Sequence, residues 1–174
     1  QAQSYATYYP TAMPDGYFID RVSAVDTQPP VDAMVATTRA LHGQGFYPII
    51  GNAGAAQPER YFSNPVADCI IISEDLNYPT QAVLQGNTAG GSSDYNPRGR
   101  GVIVYGQAFN NANVELMRQY TGLIYTTTAT GANPYAVVSP DLEKLLQSVV
   151  ASQSVGLGIK IDPNNDGLIA PSVL

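Results

Sequence analysis

Short runs of consecutive apolar residues alternate with helix-like segments along this chain, and that alternation restricts the possible folds most strongly. Consecutive apolar residues, in contrast to alternating polar and apolar ones, are typical of strands buried on both faces. The runs are Tyr17–Asp20, Phe46–Gly51, Ala67–Glu74, Gly101–Gly106 and Gly122–Thr127. Strands that alternate with helices form parallel sheets. We therefore predict an α/β protein with a parallel sheet of about five β-strand–helix units, either an open doubly wound sheet or part of a (β/α) barrel.

Helix signals lie between these runs. Pro29 and Pro30 open one segment, since proline is tolerated in a first helical turn, and Gly43 ends it. The predicted buried face of this helix repeats at intervals of three or four residues: Val31, Met34, Val35, Thr38 and Leu41. Ser139 and Pro140 are typical of an N-cap and a first helical position, so they predict that the last helix begins there.

The length of 174 residues fits one domain with a short segment at each end. The first segment is rich in Tyr, Pro and Ala and has no periodicity, and the last is polar and Gly-rich after one further strand-like run, Leu157–Ile161. We predict an N-terminal arm at 1–16, a partial (β/α) barrel domain at 17–153 and a C-terminal tail at 154–174. The chain begins at Gln1, so we expect a processed product or an excised piece.

The charge balance argues against two classes of partner. Eight basic residues stand against fourteen acidic ones, which gives a net charge of −6. Nucleic-acid phosphates and anionic membrane surfaces are both contacted through Lys and Arg. No stretch reaches the ~18 apolar residues of a transmembrane helix. The sequence therefore predicts no nucleic-acid partner and no membrane span.

Polar side chains follow the predicted strands at their carboxyl ends, which is where parallel sheets carry their sites. These positions are Asp20, Asn52, Glu74, 105–107 and 126–128. Asp20 and Glu74 are the candidate catalytic pair, because two carboxylates at one edge can divide acid and base work, as in glycoside hydrolysis. The alternative is that each carboxylate caps a helix or binds loop amides.

The segments around these carboxylates resemble the spherulin-4-like (spherulation-specific) family. That family runs Asp-Gly-Ile-Phe-hydrophobic-Asp-Glu, then a helix, then a strand ending in Asn-Pro-Gly, and 15–20 and 50–54 are similar to these motifs. The segment 67–74 is similar to the Ala-Asp-(apolar)-Glu strand of the family. The last two strands and the following loop are similar at 102–106, 122–127 and 133–135. The resemblance extends from about Pro14 to Val149.

The resemblance implies a (β/α) barrel, secretion, and endo-acting cleavage of α-1,4-linked N-acetylgalactosamine in amino-sugar exopolysaccharide. It places catalysis on Asp20 and Glu74. If the protein is active, we expect Glu74 to be the general acid and Asp20 the base or electrostatic stabiliser. The expected ligand is a polysaccharide or amino sugar, with no metal and no cofactor. The candidate substrate-binding residues are Arg21, Asn52, Tyr105, Gln107, Thr127 and Tyr135.

Three departures from the family pattern leave other functions open. Arg21 stands where the family has Glu, Tyr105 lies where it often has His, and the chain corresponds to the part from about the family's fourth strand onward. Five parallel strands cannot close an eight-stranded barrel, and open edges favour association. We therefore expect a homo-oligomer or a second chain that supplies the missing strands. The alternative function is a catalytically inactive structural or self-assembling subunit, extracellular or at a cell surface; a flavodoxin-like small-ligand binder is a third interpretation.

Three further features receive structural interpretations. Cys69 lies in an apolar run, so we expect a buried small hydrophobe. His42 is expected to be a surface residue favoured by the helix dipole. Asp162–Gly167 resembles the first half of a calcium loop, but Val173 at the twelfth position has no ligand oxygen in its side chain, which favours an ordinary turn.

Overall fold

One parallel sheet of five strands organises the chain, as the apolar runs predicted. The computed structural model describes residues 15–86 and 94–157, with side chains up to residue 149. The strands are β1 (Tyr17–Ile19), β2 (Ile49–Asn52), β3 (Cys69–Asp75), β4 (Arg100–Val104) and β5 (Leu123–Thr126). Each strand pairs in parallel with the next one along the chain.

The order of the strands distinguishes between the two predicted architectures. It is β1-β2-β3-β4-β5, with no reversal. Right-handed crossovers in a constant direction place all the connecting helices on one face of the sheet, whereas a doubly wound sheet reverses its order at a switch point. The sheet is therefore wound as in a (β/α) barrel, and the flavodoxin-like interpretation is wrong.

The helices follow the strands as expected. They are α1 (Gln28–His42), α2 (Arg60–Ser63), α3 (Gln81–Leu84), α4 (Asn111–Arg118) and α5 (Leu142–Leu157), with a 3₁₀ turn at Pro97–Gly99. Proline occupies the first turn of α1. The side chains of Thr80 and Asn110 cap α3 and α4 by accepting hydrogen bonds from backbone N–H groups three residues on.

The core lies between the sheet and the helices. Ile70 and Ile72 of β3 and Val102 and Val104 of β4 point toward the helices and are almost fully buried. They pack with helical residues that are equally buried: Val31, Leu84, Val114, Met117 and Leu145. Burying each such side chain contributes roughly 1.5–3 kcal/mol to stability.

A one-residue register shift in β3 changes which side chains reach the opposite face. Ile71 pairs with Gly101, but the next pair along the strands is Ser73 with Val102, so Glu74 pairs with Ile103. Such bulges re-aim side chains and are frequent beside active sites. Without the shift, Glu74 would share the helix-covered face with Ile72.

The remaining sequence expectations have mixed outcomes. Cys69 is buried as predicted, and burial together with the Asp68 carboxylate raises the pKa of its thiol to about 12. His42 is a surface residue as expected, and its Nε2 lies 2.8 Å from Asp68 Oδ2, which also accepts from Ile49 N at 2.7 Å. Within the described residues, no helix is long and apolar enough to cross a membrane.

Some expectations fall on parts of the chain that the structure does not describe. Residue 157, predicted to start a strand, is the last residue of α5. The rest of that strand-like run, the calcium-like segment 162–167 and residues 1–14 of the N-terminal arm lie outside the described residues.

Candidate active site

A cleft of about 450 Å³ opens at the carboxyl ends of the strands. Its walls combine two carboxylates and an amide with apolar and aromatic side chains. The lining residues in the described part of the chain are Phe18, Asp20, Asn52, Glu74, Ile103, Tyr125 and Tyr135. Four of the eight predicted site residues therefore lie together at the position that the sheet topology predicted.

Asn52 connects the two carboxylates. Its Nδ2 donates to Asp20 Oδ1 at 3.0 Å and to Glu74 Oε2 at 2.7 Å. Its own Oδ1 accepts from the N–H of Gly54 at 3.0 Å, which fixes the orientation of the amide. Gly54 has φ +64, a conformation that glycine adopts without strain. Asn52 is buried at the base of the cleft, and its two hydrogen bonds set the relative position of Asp20 and Glu74.

Tyr135 holds the other oxygen of Glu74. Its hydroxyl donates to Glu74 Oε1 from the loop between β5 and α5. The Tyr135 ring lies edge-on to Tyr105 and Tyr125, with ring centroids 6.4 and 6.3 Å away. Burial, followed by the hydrogen bond to Glu74 and the charge of Glu74, raises the pKa of Tyr135. The phenol therefore keeps its proton at neutral pH and acts as a donor.

Arg21 lies beside Asp20 in an unusual backbone conformation. Its φ is 57°, and a left-handed conformation costs a residue with a Cβ roughly 1–2 kcal/mol. The Arg21 side chain is 95% exposed, and its Nε lies 4.0 Å from Asp20 Oδ2. Ion pairs at this exposure contribute little to stability.

The other predicted substrate-binding residues have different surroundings. Thr127 is fully buried, and its hydroxyl accepts from the N–H of Ala129 at 3.2 Å. The backbone N–H of Gln107 donates to the Thr127 carbonyl at 3.1 Å. Tyr105 contacts the cleft through the ring of Tyr135.

Three lining residues were not predicted. Phe18 lies on β1, two positions before Asp20, and is 50% exposed. Alternate residues of a strand share a face, so this spacing already indicated that Phe18 accompanies Asp20. Ile103 and Tyr125 lie on β4 and β5, and only the observed pairing of Glu74 with Ile103 brings them to the same cleft.

The described residues of the cleft contain no cluster of side chains suited to a metal. Within residues 15–86 and 94–149, no three His, Cys, Asp or Glu side chains are close enough together to hold an ion. The polar groups that the described lining presents to a ligand are the two carboxylates, the Asn52 amide and the tyrosine phenols.

Comparison with known proteins identifies the family. The model of spherulation-specific family 4 matches residues 1–149. The chain belongs to this family. A comparison with curated proteins gave no significant match.

A solved structure of similar fold is the crystal structure of Aspergillus clavatus Sph3 in complex with GalNAc. The TM-score is 0.63 at 17% sequence identity, over 84% of this chain. At that identity the likeness concerns the fold, and it agrees with the barrel-type winding of the sheet. This family member spans 63% of the Sph3 chain.

Proposed function

We propose that this chain is a carbohydrate-active protein, a glycoside hydrolase that cleaves amino-sugar polysaccharide within α-1,4-linked N-acetylgalactosamine. The observation that carries the proposal is the carboxylate pair, Asp20 and Glu74, bridged by one amide nitrogen in an aromatic-lined cleft. Family membership and the GalNAc bound to Sph3 support the choice of sugar.

The spacing of the pair favours a mechanism with retention of configuration. A single nitrogen donates to Asp20 Oδ1 at 3.0 Å and to Glu74 Oε2 at 2.7 Å. Because both oxygens bind the same nitrogen, the distance between them is smaller than the sum of these two hydrogen-bond lengths. Retaining pairs are about 5–5.5 Å apart, whereas inverting pairs leave roughly 6.5–9.5 Å for a water molecule. The separation of these two oxygens is therefore below the range of inverting pairs.

The surroundings of Asp20 and Glu74 differ, and they favour different catalytic roles for the two carboxyl groups. Glu74 is half-buried and lines the cleft together with the apolar side chains of Phe18 and Ile103 and the ring of Tyr125. The Asp20 side chain, in contrast, is 65% exposed and lies beside Arg21. In such pairs the carboxyl in the less polar setting carries the proton and serves as general acid, and the Tyr135 hydroxyl can accept from protonated Glu74 as well as donate to its carboxylate. We assign the general acid to Glu74, which protonates the leaving oxygen, and the nucleophile or electrostatic stabiliser to Asp20. The ring faces of the aromatic lining offer surfaces on which a sugar packs.

The location and the assembly are also proposals. We propose an extracellular protein that works as a homo-oligomer or together with a second chain that supplies strands. The support is the open sheet, because β1 and β5 each have one strand neighbour among the described residues, and unpaired edges favour association. The same observation supports the alternative function, a catalytically inactive structural subunit that self-assembles through these edges.

The test compares hydrolysis of α-1,4-linked N-acetylgalactosamine oligosaccharides by the wild type, Asp20→Asn and Glu74→Gln, with products followed by mass spectrometry. Each substitution is expected to lower kcat at least about 100-fold, because it removes a group that acts in the transition state. The matched control is Asp75→Asn, since Asp75 adjoins Glu74 but is exposed and binds the N–H of Asn77.

The outcomes separate the two functions. Oligosaccharide binding without hydrolysis by the wild type would favour the inactive subunit, and the absence of binding would contradict the sugar site itself. Light scattering on the same preparations gives the particle mass. A lone particle of 18.5 kDa would contradict the proposed assembly.

A further inference from the structure

The two oxygens of the Glu74 carboxyl group have different partners, and this decides where its proton lies. Oε2 accepts from Asn52 Nδ2 at 2.7 Å, and Oε1 accepts from the Tyr135 hydroxyl. An amide nitrogen donates and does not accept, and the N–H of Gly54 on Asn52 Oδ1 fixes which end of the amide faces Glu74. Oε2 therefore stays an acceptor in both protonation states. The proton of the acid form lies on Oε1, beside Tyr135.

The Tyr135 hydroxyl is able to take that proton, because a phenol both donates and accepts. When Glu74 is ionised, the phenol donates to Oε1. When Glu74 is protonated, the phenol oxygen accepts from Oε1 and its own hydrogen is released from this bond. The hydrogen bond that the described residues give this hydroxyl is the one with Glu74. Tyr135 is exposed and lines the cleft, so the released hydrogen is accessible to a ligand there.

The Tyr135 side chain is held in place from three directions. Its ring lies edge-on to Tyr105 and Tyr125, and its backbone N–H donates to Asn133 Oδ1 at 3.1 Å. A donor fixed in this way loses little entropy when a substrate binds. Burial and the charge of Glu74 raise the pKa of Tyr135, which makes the phenolate unfavourable. The phenol therefore gives up its hydrogen only as it gains another.

We propose that Tyr135 is a catalytic residue that relays the acid proton from Glu74 to the leaving oxygen of the substrate. The inference rests on the proposed function and adds a second residue to its acid step. The phenol O–H bond breaks and its hydrogen joins the glycosidic oxygen, while the Glu74 Oε1–H bond breaks and that hydrogen joins the phenol oxygen. The electron pair of the breaking C–O bond goes to the leaving oxygen, and Asp20 stabilises or captures the sugar cation. Tyr135 is a neutral phenol before and after the step, and Glu74 ends as a carboxylate.

The first experiment varies how much the leaving group needs a proton. The substrates are an α-1,4-linked N-acetylgalactosamine oligosaccharide and the dinitrophenyl α-glycoside of the corresponding disaccharide, whose phenolate leaves without protonation. Tyr135→Phe and Glu74→Gln are each expected to lower kcat/KM at least about 100-fold on the oligosaccharide and less than about five-fold on the dinitrophenyl glycoside. Asp20→Asn is expected to slow both substrates, because Asp20 acts on the sugar and not on the leaving group.

The matched control is Tyr120→Phe. Tyr120 also has a hydroxyl that is bonded to a side chain, since it accepts from Gln81 Nε2 at 2.9 Å, and it is not among the described residues that line the cleft. Its loss is expected to leave kcat/KM unchanged on both substrates.

The second experiment counts the moving protons and needs no variant. It measures kcat/KM of the wild type on the oligosaccharide in mixtures of H₂O and D₂O. A relay moves two protons in one step, so kcat/KM should depend on the deuterium fraction along a curve. Direct transfer from Glu74 moves one proton and gives a straight line, which would overturn the relay.

The results distinguish failure of the relay from failure of the proposed function. If the wild type and Tyr135→Phe cleave the oligosaccharide at similar rates, the relay is overturned while the hydrolase stands. Equal slowing of both substrates by Tyr135→Phe would also overturn it, because the loss would then not depend on the leaving group. If the wild type cleaves neither substrate, both claims fail.

Discussion

Tyr135 illustrates how one hydroxyl can organise a carboxylate from a distant loop. It is 61 positions from Glu74 in the chain, yet it donates to Glu74 Oε1. Asn52 donates to the other oxygen, so both ends of the carboxylate are held. The sequence indicated Tyr135 as a sugar contact but not as a partner of Glu74. Nothing in the local sequence pattern specifies a hydrogen bond to a residue so far away along the chain.

The raised pKa of Tyr135 predicts a contribution to stability that depends on pH. The fold favours the protonated phenol, so the contribution is complete below the unfolded value of about 10 and is lost as the pH rises through the folded pKa. When the pH is raised from 9 to 11, we expect the urea midpoint of the wild type to decrease by more than that of Tyr135→Phe. The dependence of the unfolding free energy on urea concentration should be about the same in both proteins.

The control for this prediction is Tyr47→Phe, since Tyr47 is exposed and lies at the start of the β2 unit, away from the cleft. It should lose as much stability as the wild type over the same pH range. Equal losses in all three proteins would show that the Tyr135 hydroxyl does not stabilise the fold.

At the level of elements, sequence patterns predicted which segments are strands but not how one of them is bent. The run from Cys69 to Ser73 is apolar almost throughout, so it carries no mark of the one-residue shift that brings Glu74 to the cleft. The alternation of strands and helices predicted a parallel sheet and left its winding open. The strand order, which depends on long-range packing, decided that question.

Gly101 of β4 leaves no room for a side chain on the face of the sheet opposite the helices. A Cβ there would lie 2.6 Å from Ile71 Cδ1 and 3.2 Å from Leu123 Cβ. We expect Gly101→Ala to lower the free energy of unfolding by roughly 1–3 kcal/mol, because Ile71 is fully buried and has little room to move. Chemical denaturation followed by circular dichroism measures this.

Gly99→Ala is the matched control, since a Cβ at that position would meet its nearest backbone atom at 3.9 Å, an ordinary contact. It should change stability by less than about 0.5 kcal/mol. If Gly101→Ala is as stable as Gly99→Ala, the layer of side chains across β3, β4 and β5 is looser than the structure indicates.

At the level of the whole molecule, the strands of the described residues form an open sheet that carries the site at its carboxyl edge. Asp20 directly follows β1, Glu74 lies on β3, and Asn52 between them lies on β2. Three neighbouring strands therefore assemble the pair, so its geometry is set within the described part of the chain.

The stereochemistry of hydrolysis tests the proposed mechanism most directly, because it follows from the distance between Asp20 and Glu74. The measurement is proton NMR of an α-1,4-linked N-acetylgalactosamine oligosaccharide during the first minutes of digestion. Asn52 places the carboxylates at the short spacing of a retaining pair, so the α-anomer should form first and then mutarotate. Initial release of the β-anomer, or no release of product by the wild type, would contradict the mechanism.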